Sequence, residues 1–214
     1  MHNEIASQEC FTEDIHKAIK EGFKSIDKKY REKLEDDGTT AVVAIIQGGK
    51  IYVGNAGDSR CISSNKERKA VPLSVDHKPN LDTEKKRIEA ADFEVNKETI
   101  VMHGKRTIIW RIDGKIAVSR GIGDDSFKDE DLEQEKQAVS PVPDVTEVPI
   151  EDVAFLVLAC DGLWDVVENQ ETVDFVWKGL QNNEDLNSIA KGLADLALSK
   201  SSDDNITVII VLFE

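Results

Sequence analysis

Two apolar runs set the tightest limit on what this chain can fold into. Val153–Cys160 and Ile206–Phe213 are strand-length and unbroken by polar alternation. Such runs read as central strands covered on both faces, and they fall well short of the roughly 20 residues a membrane helix needs. An aspartate stands at one end of each: Asp161-Gly162 follows the first, and Asp204-Asn205 precedes the second.

Around these runs the pattern alternates between helical and strand periodicities. Ile15, Ala18, Ile19, Phe23, Ile26, Tyr30 and Leu34 recur at three- and four-residue spacing. They predict a helix from Thr12 to Glu35 with Thr12 as its cap and one face in the core. Thr40–Ile46 and Lys50–Val53 read as strands joined by the hairpin turn Gln47-Gly48-Gly49. Ser59–Ser63 and Ala70–Leu73 follow, across the polar turn Ser64–Lys69. Asp82–Ala91 predicts a short helix capped by Asp82. Glu98–Met102 and Arg106–Ile109 flank a turn at His103-Gly104-Lys105, with Lys115–Val118 continuing the meander. Asp124–Glu135 carries seven acids and one lysine and reads as a solvated loop. Helices near Gln170–Leu180, capped by Asn169, and over Leu186–Ser199 lie between the two apolar runs. Many antiparallel strands with segregated helices make an α+β layered domain, expected to be a single one over residues 1–214.

The 27 basic and 42 acidic residues leave a formal net charge of -15, which repels nucleic acid and anionic membranes but not divalent cations. The residues Cys10, Cys61 and Cys160 are far apart, an odd number without a pairing framework. They read as reduced thiols, and with no signal-peptide pattern over Met1–Ser7 the cytoplasm is the expected compartment.

Asp161, Asp204 and Asp58 each sit where a strand meets a turn. In an antiparallel sheet the end of one strand lies beside the start of its neighbour, so the three can converge at one edge. Asp165 can join them if Gly162–Trp164 bends into a helical turn. Carboxylates that close together need a cation among them, and oxygen ligands favour Mg²⁺ or Mn²⁺. Asp-Gly and Asp-Asn are also ordinary turn chemistry, so spacing alone leaves both readings open. His2, His16, His77 and His103 are scattered and read as surface or turn residues.

Six segments occur in an order that resembles the successive motifs of the protein phosphatase 2C family: Gly38-Thr39-Thr40-Ala41, Gly57-Asp58-Ser59-Arg60, Asp76-His77-Lys78-Pro79, Ser119-Arg120-Gly121-Ile122-Gly123-Asp124, Cys160-Asp161-Gly162-Leu163-Trp164-Asp165 and Asp204-Asn205-Ile206-Thr207. Arg87-Ile88-Glu89-Ala90 and Pro143-Asp144-Val145 also fit. The resemblance implies an α-β-β-α sandwich of two antiparallel sheets flanked by helices. It also implies hydrolysis of phosphoserine and phosphothreonine in phosphoprotein substrates by a metal-activated water.

Carried over by motif, Asp161 and Asp204 are ligands of a first Mg²⁺ or Mn²⁺. Asp58 and Asp165, with Asp161 shared, form a weaker site, while Asp124, Arg120 and His77 have structural roles. The family's earlier elements are a phosphate-binding arginine, an acidic ligand pair and an Asp-Gly-His-Gly segment, and none of them is found in Met1–Asp36. The expectations are therefore a sandwich incomplete at its N-terminus, little or no turnover by this chain alone, and a homodimer through exposed sheet edges. The alternative is a non-catalytic, phosphatase-like binding or regulatory module.

Overall fold

In this computed structural model, which describes residues 1–33, 37–102 and 105–213, the chain divides into two compact units. The first comprises Met1–Val43, Gly54–Asp58 and Asp76–Val145, and the second Ala44–Val53, Ser59–Val75 and Thr146–Glu214. The division falls within three strands, β2 (Ala41–Gln47), β3 (Lys50–Ala56) and β9 (Asp144–Pro149), which hydrogen-bond in the order β2-β3-β9. Gly48 and Gly49 turn the expected hairpin with positive φ at both positions.

The first unit begins with α1 (His2–Ala6), a short helix whose Ile5 packs against Gly22 of α2 (Ile15–Arg31). The cap of α2 is Asp14, which accepts from the Lys17 N–H, and not the expected Thr12. Ile15, Ala18, Ile19 and Phe23 are buried as the stripe requires, while Leu34 and Glu35 lie outside the described residues. Asp27 is fully buried on the same helix, paired with Lys128 and accepting from the Gly123 N–H at 2.9 Å. Burial lowers the Lys128 pKa, against the opposing charge of Asp27.

The acidic stretch around Lys128 is thus no simple solvated loop. Phe127 enters a core with Ile88, Ile112, Ala138 and Val139, and Lys128 anchors the chain beside it. β1 (Gly38–Thr39) pairs with β8 (Ile122–Gly123), and β6 (Val95–Met102) pairs antiparallel with β7 (Lys105–Ile112). The turn placed at His103-Gly104 lies outside the described residues. Lys115–Val118 forms no further strand; Ile116 makes one isolated bridge back to Ile112 across a turn at Asp113 and Gly114. α3 (Asp82–Ala90) starts one residue after Leu81, and Asp82 is its first helical residue with no side-chain cap bond.

In the second unit a four-stranded antiparallel sheet runs in the order β11 (Val208–Leu212), β10 (Phe155–Ala159), β4 (Arg60–Ser64) and β5 (Ala70–Pro72). β10 is the covered central strand its sequence implies, buried at every residue. β11 is instead an edge strand, and Ile209 is 54% exposed. A run without polar alternation does not distinguish a central strand from an edge strand covered on one face. α4 (Asp161–Trp164), α5 (Asn169–Gln181) and α6 (Leu186–Ser199) cover the sheet through Leu163, Trp164, Val173, Val176, Ile189 and Leu193. Asn169 begins α5 without capping it; its side chain accepts from Arg60 Nη1 at 2.7 Å.

Candidate functional site

The register of β10 fixes where the aspartates of the second unit stand. Ala159 is paired with Val208 on one side and with Arg60 on the other. Asp161 therefore leaves β10 beside the entry to β11, which Asp204 precedes. The ladder continues one step further, the Cys160 N–H donating to Thr207 O at 3.3 Å. The two turns then meet backbone to backbone. A Cβ on Gly162 would lie 2.3 Å from Asn205 O, so only glycine permits the approach.

Asp161 opens α4, and its Oδ1 accepts from the Gly162 N–H at 3.0 Å. Asp204 Oδ1 accepts from the Asn205 N–H at 2.7 Å. Gly162–Trp164 bends into the helical turn expected of it, and the Asp165 N–H donates to Asp161 O at 2.8 Å. Asp161 is half-buried, while Asp165 and Asp204 are exposed. Trp164 pins the turn to the sheet by donating Nε1–H to Ala159 O at 2.8 Å, and Arg60 lies over its ring.

Two carboxylates on adjoining turns suit a hard divalent cation, which keeps several of its own waters. Among the described residues no group of three or more His, Cys, Asp or Glu side chains is disposed to hold an ion. Water or substrate oxygens would complete the coordination of such a pair.

Asp58 belongs to the first unit, where Lys78 Nζ pairs with its Oδ2 at 2.5 Å. The peptide before it is held by His77. The Gly57 N–H donates to His77 Nδ1 at 3.2 Å, and the His77 N–H donates back to Gly57 O at 3.0 Å. Gly57 has φ +119 and a Cβ there would meet Thr40 at 2.3 Å, so glycine is required twice over. Since Nδ1 accepts, Nε2 of His77 carries the proton and donates to Asp144 Oδ2 at 3.2 Å. Asp144 in turn accepts from Arg120 Nη1 at 2.8 Å.

Arg120 leads to the buried Glu84, whose Oε1 accepts from Arg120 Nη2 at 2.8 Å and whose Oε2 accepts from Arg87 and Ser119, each at 2.7 Å. Burial raises the Glu84 pKa, but the Arg120 hydrogen bonds, the charges of Arg87 and Arg120 and the Ser119 hydroxyl outweigh it and hold the carboxyl at about 2. The His77 hydrogen bond, against some desolvation, and Arg120 hold Asp144 well below the usual carboxylate range. Arg120 and His77 thus have the structural roles expected of them. The Asp124 carboxylate lies where a Cβ on Gly38 would fall, so position 38 needs glycine. Glu84 was not singled out from the sequence, where nothing but its place three residues before Arg87 marks it.

The family model for protein phosphatase 2C matches residues 1–206. The chain belongs to the protein phosphatase 2C family. It is 44% identical to a probable protein phosphatase 2C of Caenorhabditis elegans, over 82% of this chain and 48% of that protein. It is 39% identical to protein phosphatase 2C homolog 2 of Aspergillus fumigatus, over 99% of this chain and 49% of the relative. The chain spans about half the length of these curated relatives. A crystal structure of serine-threonine phosphatase 2C from Toxoplasma gondii matches with a TM-score of 0.75 and 26% identity, over 94% of this chain and 67% of that one. The mixed helix-and-strand architecture with antiparallel sheets is that of the protein phosphatase 2C fold.

An ordinary glutamate titrates near 4.5, whereas folded Glu84 titrates at about 2. Between those values the unfolded chain binds the proton and the folded chain does not. The stability Glu84 contributes is thus complete above the upper value and is lost as pH falls toward the lower one. Urea unfolding at a series of pH values across that window should show a steeper loss for the native protein than for Glu84→Gln. Equal slopes would contradict the ion network.

Proposed function

We propose that this chain carries aspartate ligands of a metal-dependent protein phosphatase centre that acts on phosphoserine and phosphothreonine in protein substrates. The carrying observation is the backbone contact of Gly162 with Asn205, which sets Asp161 and Asp204 on adjoining turns. These two would hold the ion, Mg²⁺ or Mn²⁺, with water completing its coordination. When bound, such an ion lowers the pKa of a coordinated water and offsets charge on phosphoryl oxygens.

The chain's own part is to present carboxylates on two short turns held together by backbone contact, so that little reorganisation accompanies binding. Retention of Asp58, Asp161, Asp165 and Asp204 together favours this reading over a non-catalytic module, which has no need of all four.

Hydrolysis of a phosphothreonine peptide, with and without Mn²⁺, tests the proposal. Any turnover should appear only with the metal and be lost in Asp161→Ala. The 214-residue chain alone should show little or none, because Met1–Asp36 has neither the phosphate-binding arginine nor the acidic pair of the family pattern. Metal-independent turnover, or full activity in Asp161→Ala, would overturn the proposal.

We infer further that the chain pairs as a homodimer through the exposed edge of the second unit's sheet. Among the described residues β11 has a neighbour on one side only, and its Ile209 and Leu212 are exposed. Unpaired edges with apolar side chains recruit a further strand. Light scattering on this chain at micromolar concentration should give twice the monomer mass; a monomer mass would contradict the pairing.

A further inference from the structure

Cys160 and Ser202 have no part in the chemistry proposed above, yet both tie the two aspartate-bearing turns together. The Cys160 thiol donates to Asn205 O at 3.1 Å, and the same sulfur accepts from the Thr207 N–H at 3.2 Å. Ser202 works from the other side of Asp204, its hydroxyl donating to Gly162 O at 2.6 Å. The turn carrying Asp204 is thereby gripped before and after the aspartate, and both grips end on the residues that flank Asp161.

The close approach of Gly162 to Asn205 cannot by itself do this. A glycine without Cβ permits the contact but directs nothing, whereas directed hydrogen bonds on both flanks fix where the Asp204 turn lies. Cys160 is poorly suited to be a ligand, since Mg²⁺ and Mn²⁺ favour oxygen over sulfur and its sulfur is already engaged by Asn205 and Thr207.

We infer that Cys160 and Ser202 are positioning residues that fix the separation of the Asp161 and Asp204 carboxylates and so set the divalent-ion affinity of the pair. The inference rests on the metal reading of the preceding section. Small hard cations tolerate little departure from ideal geometry, and side chains that orient ligands typically change affinity by about 10–100-fold when removed.

The test is a titration of the 214-residue chain with Mn²⁺, following the paramagnetic resonance signal of the free ion, with Asp161→Ala as the blank. Cys160→Ala and Ser202→Ala should each bind Mn²⁺ about 10–100-fold more weakly. Cys160→Ser should recover most of the loss, because a hydroxyl both donates and accepts as the thiol does. Melting temperatures taken without metal separate this from a purely structural role, which would lower them and leave the affinity of the folded protein unchanged. Native-like affinity in both alanine variants, or a serine variant as weak as Cys160→Ala, would overturn the inference. Should Cys160→Ala fail to fold, Ser202→Ala decides. If the native chain binds no better than Asp161→Ala, the metal reading itself fails and this inference falls with it. Native binding without an effect of the alanine variants sinks this inference alone.

Discussion

The antiparallel pairing of β10 with β11 governs most of the second unit, including where its carboxylates stand. Ala159 opposite Val208 places the exit of one strand against the entry of the next. Side chains alternate along a strand, so a slip of one residue would exchange the two faces of β10. Phe155, Val157 and Ala159 would then leave the core they share with Val173, Val176 and Ile189. Packing therefore holds the register, and the register holds Asp161 beside the Asp204 turn. The glycine at 162 completes the approach because a larger residue would strike Asn205.

In the first unit a continuous polar chain does the comparable work. Glu84 is buried and ionised, which is tolerable only because Arg87, Arg120 and Ser119 all donate to it. Arg120 passes the constraint to Asp144, Asp144 to His77, and His77 to the Gly57 peptide next to Asp58. Each member is fixed by the next, and removing one strands a charge or a donor in a desolvated place. The buried pair Asp27–Lys128 follows the same rule and joins α2 to the segment after β8.

Much of this was legible in the residues themselves. The β10 run, the Gly48-Gly49 hairpin, the helical turn after Asp161 and the span of α6 follow from periodicity and turn chemistry. Strand ends with aspartates pointed to a shared edge, and Asp161 and Asp204 do stand on adjoining turns, whereas Asp58 belongs to the first unit. What stayed hidden depends on tertiary partners. Nothing local distinguishes Asp27 or Glu84 from solvated acids, because their burial is set by Lys128 and Arg120, which lie far along the chain. Asp14 displaced Thr12 as the cap of α2 because the helix begins at Ile15, a boundary the apolar stripe does not resolve. Ile206–Phe213 looked fully covered, although its strand sits at the sheet edge.

The central claim is that Asp161 and Asp204 share a divalent ion. Diffraction from Mn²⁺-soaked crystals, measured at the manganese absorption edge, tests it most directly. The account predicts an anomalous peak in contact with both carboxylates, absent from crystals of Asp161→Ala. No peak there, or one bound elsewhere and unaffected by the substitution, would contradict it.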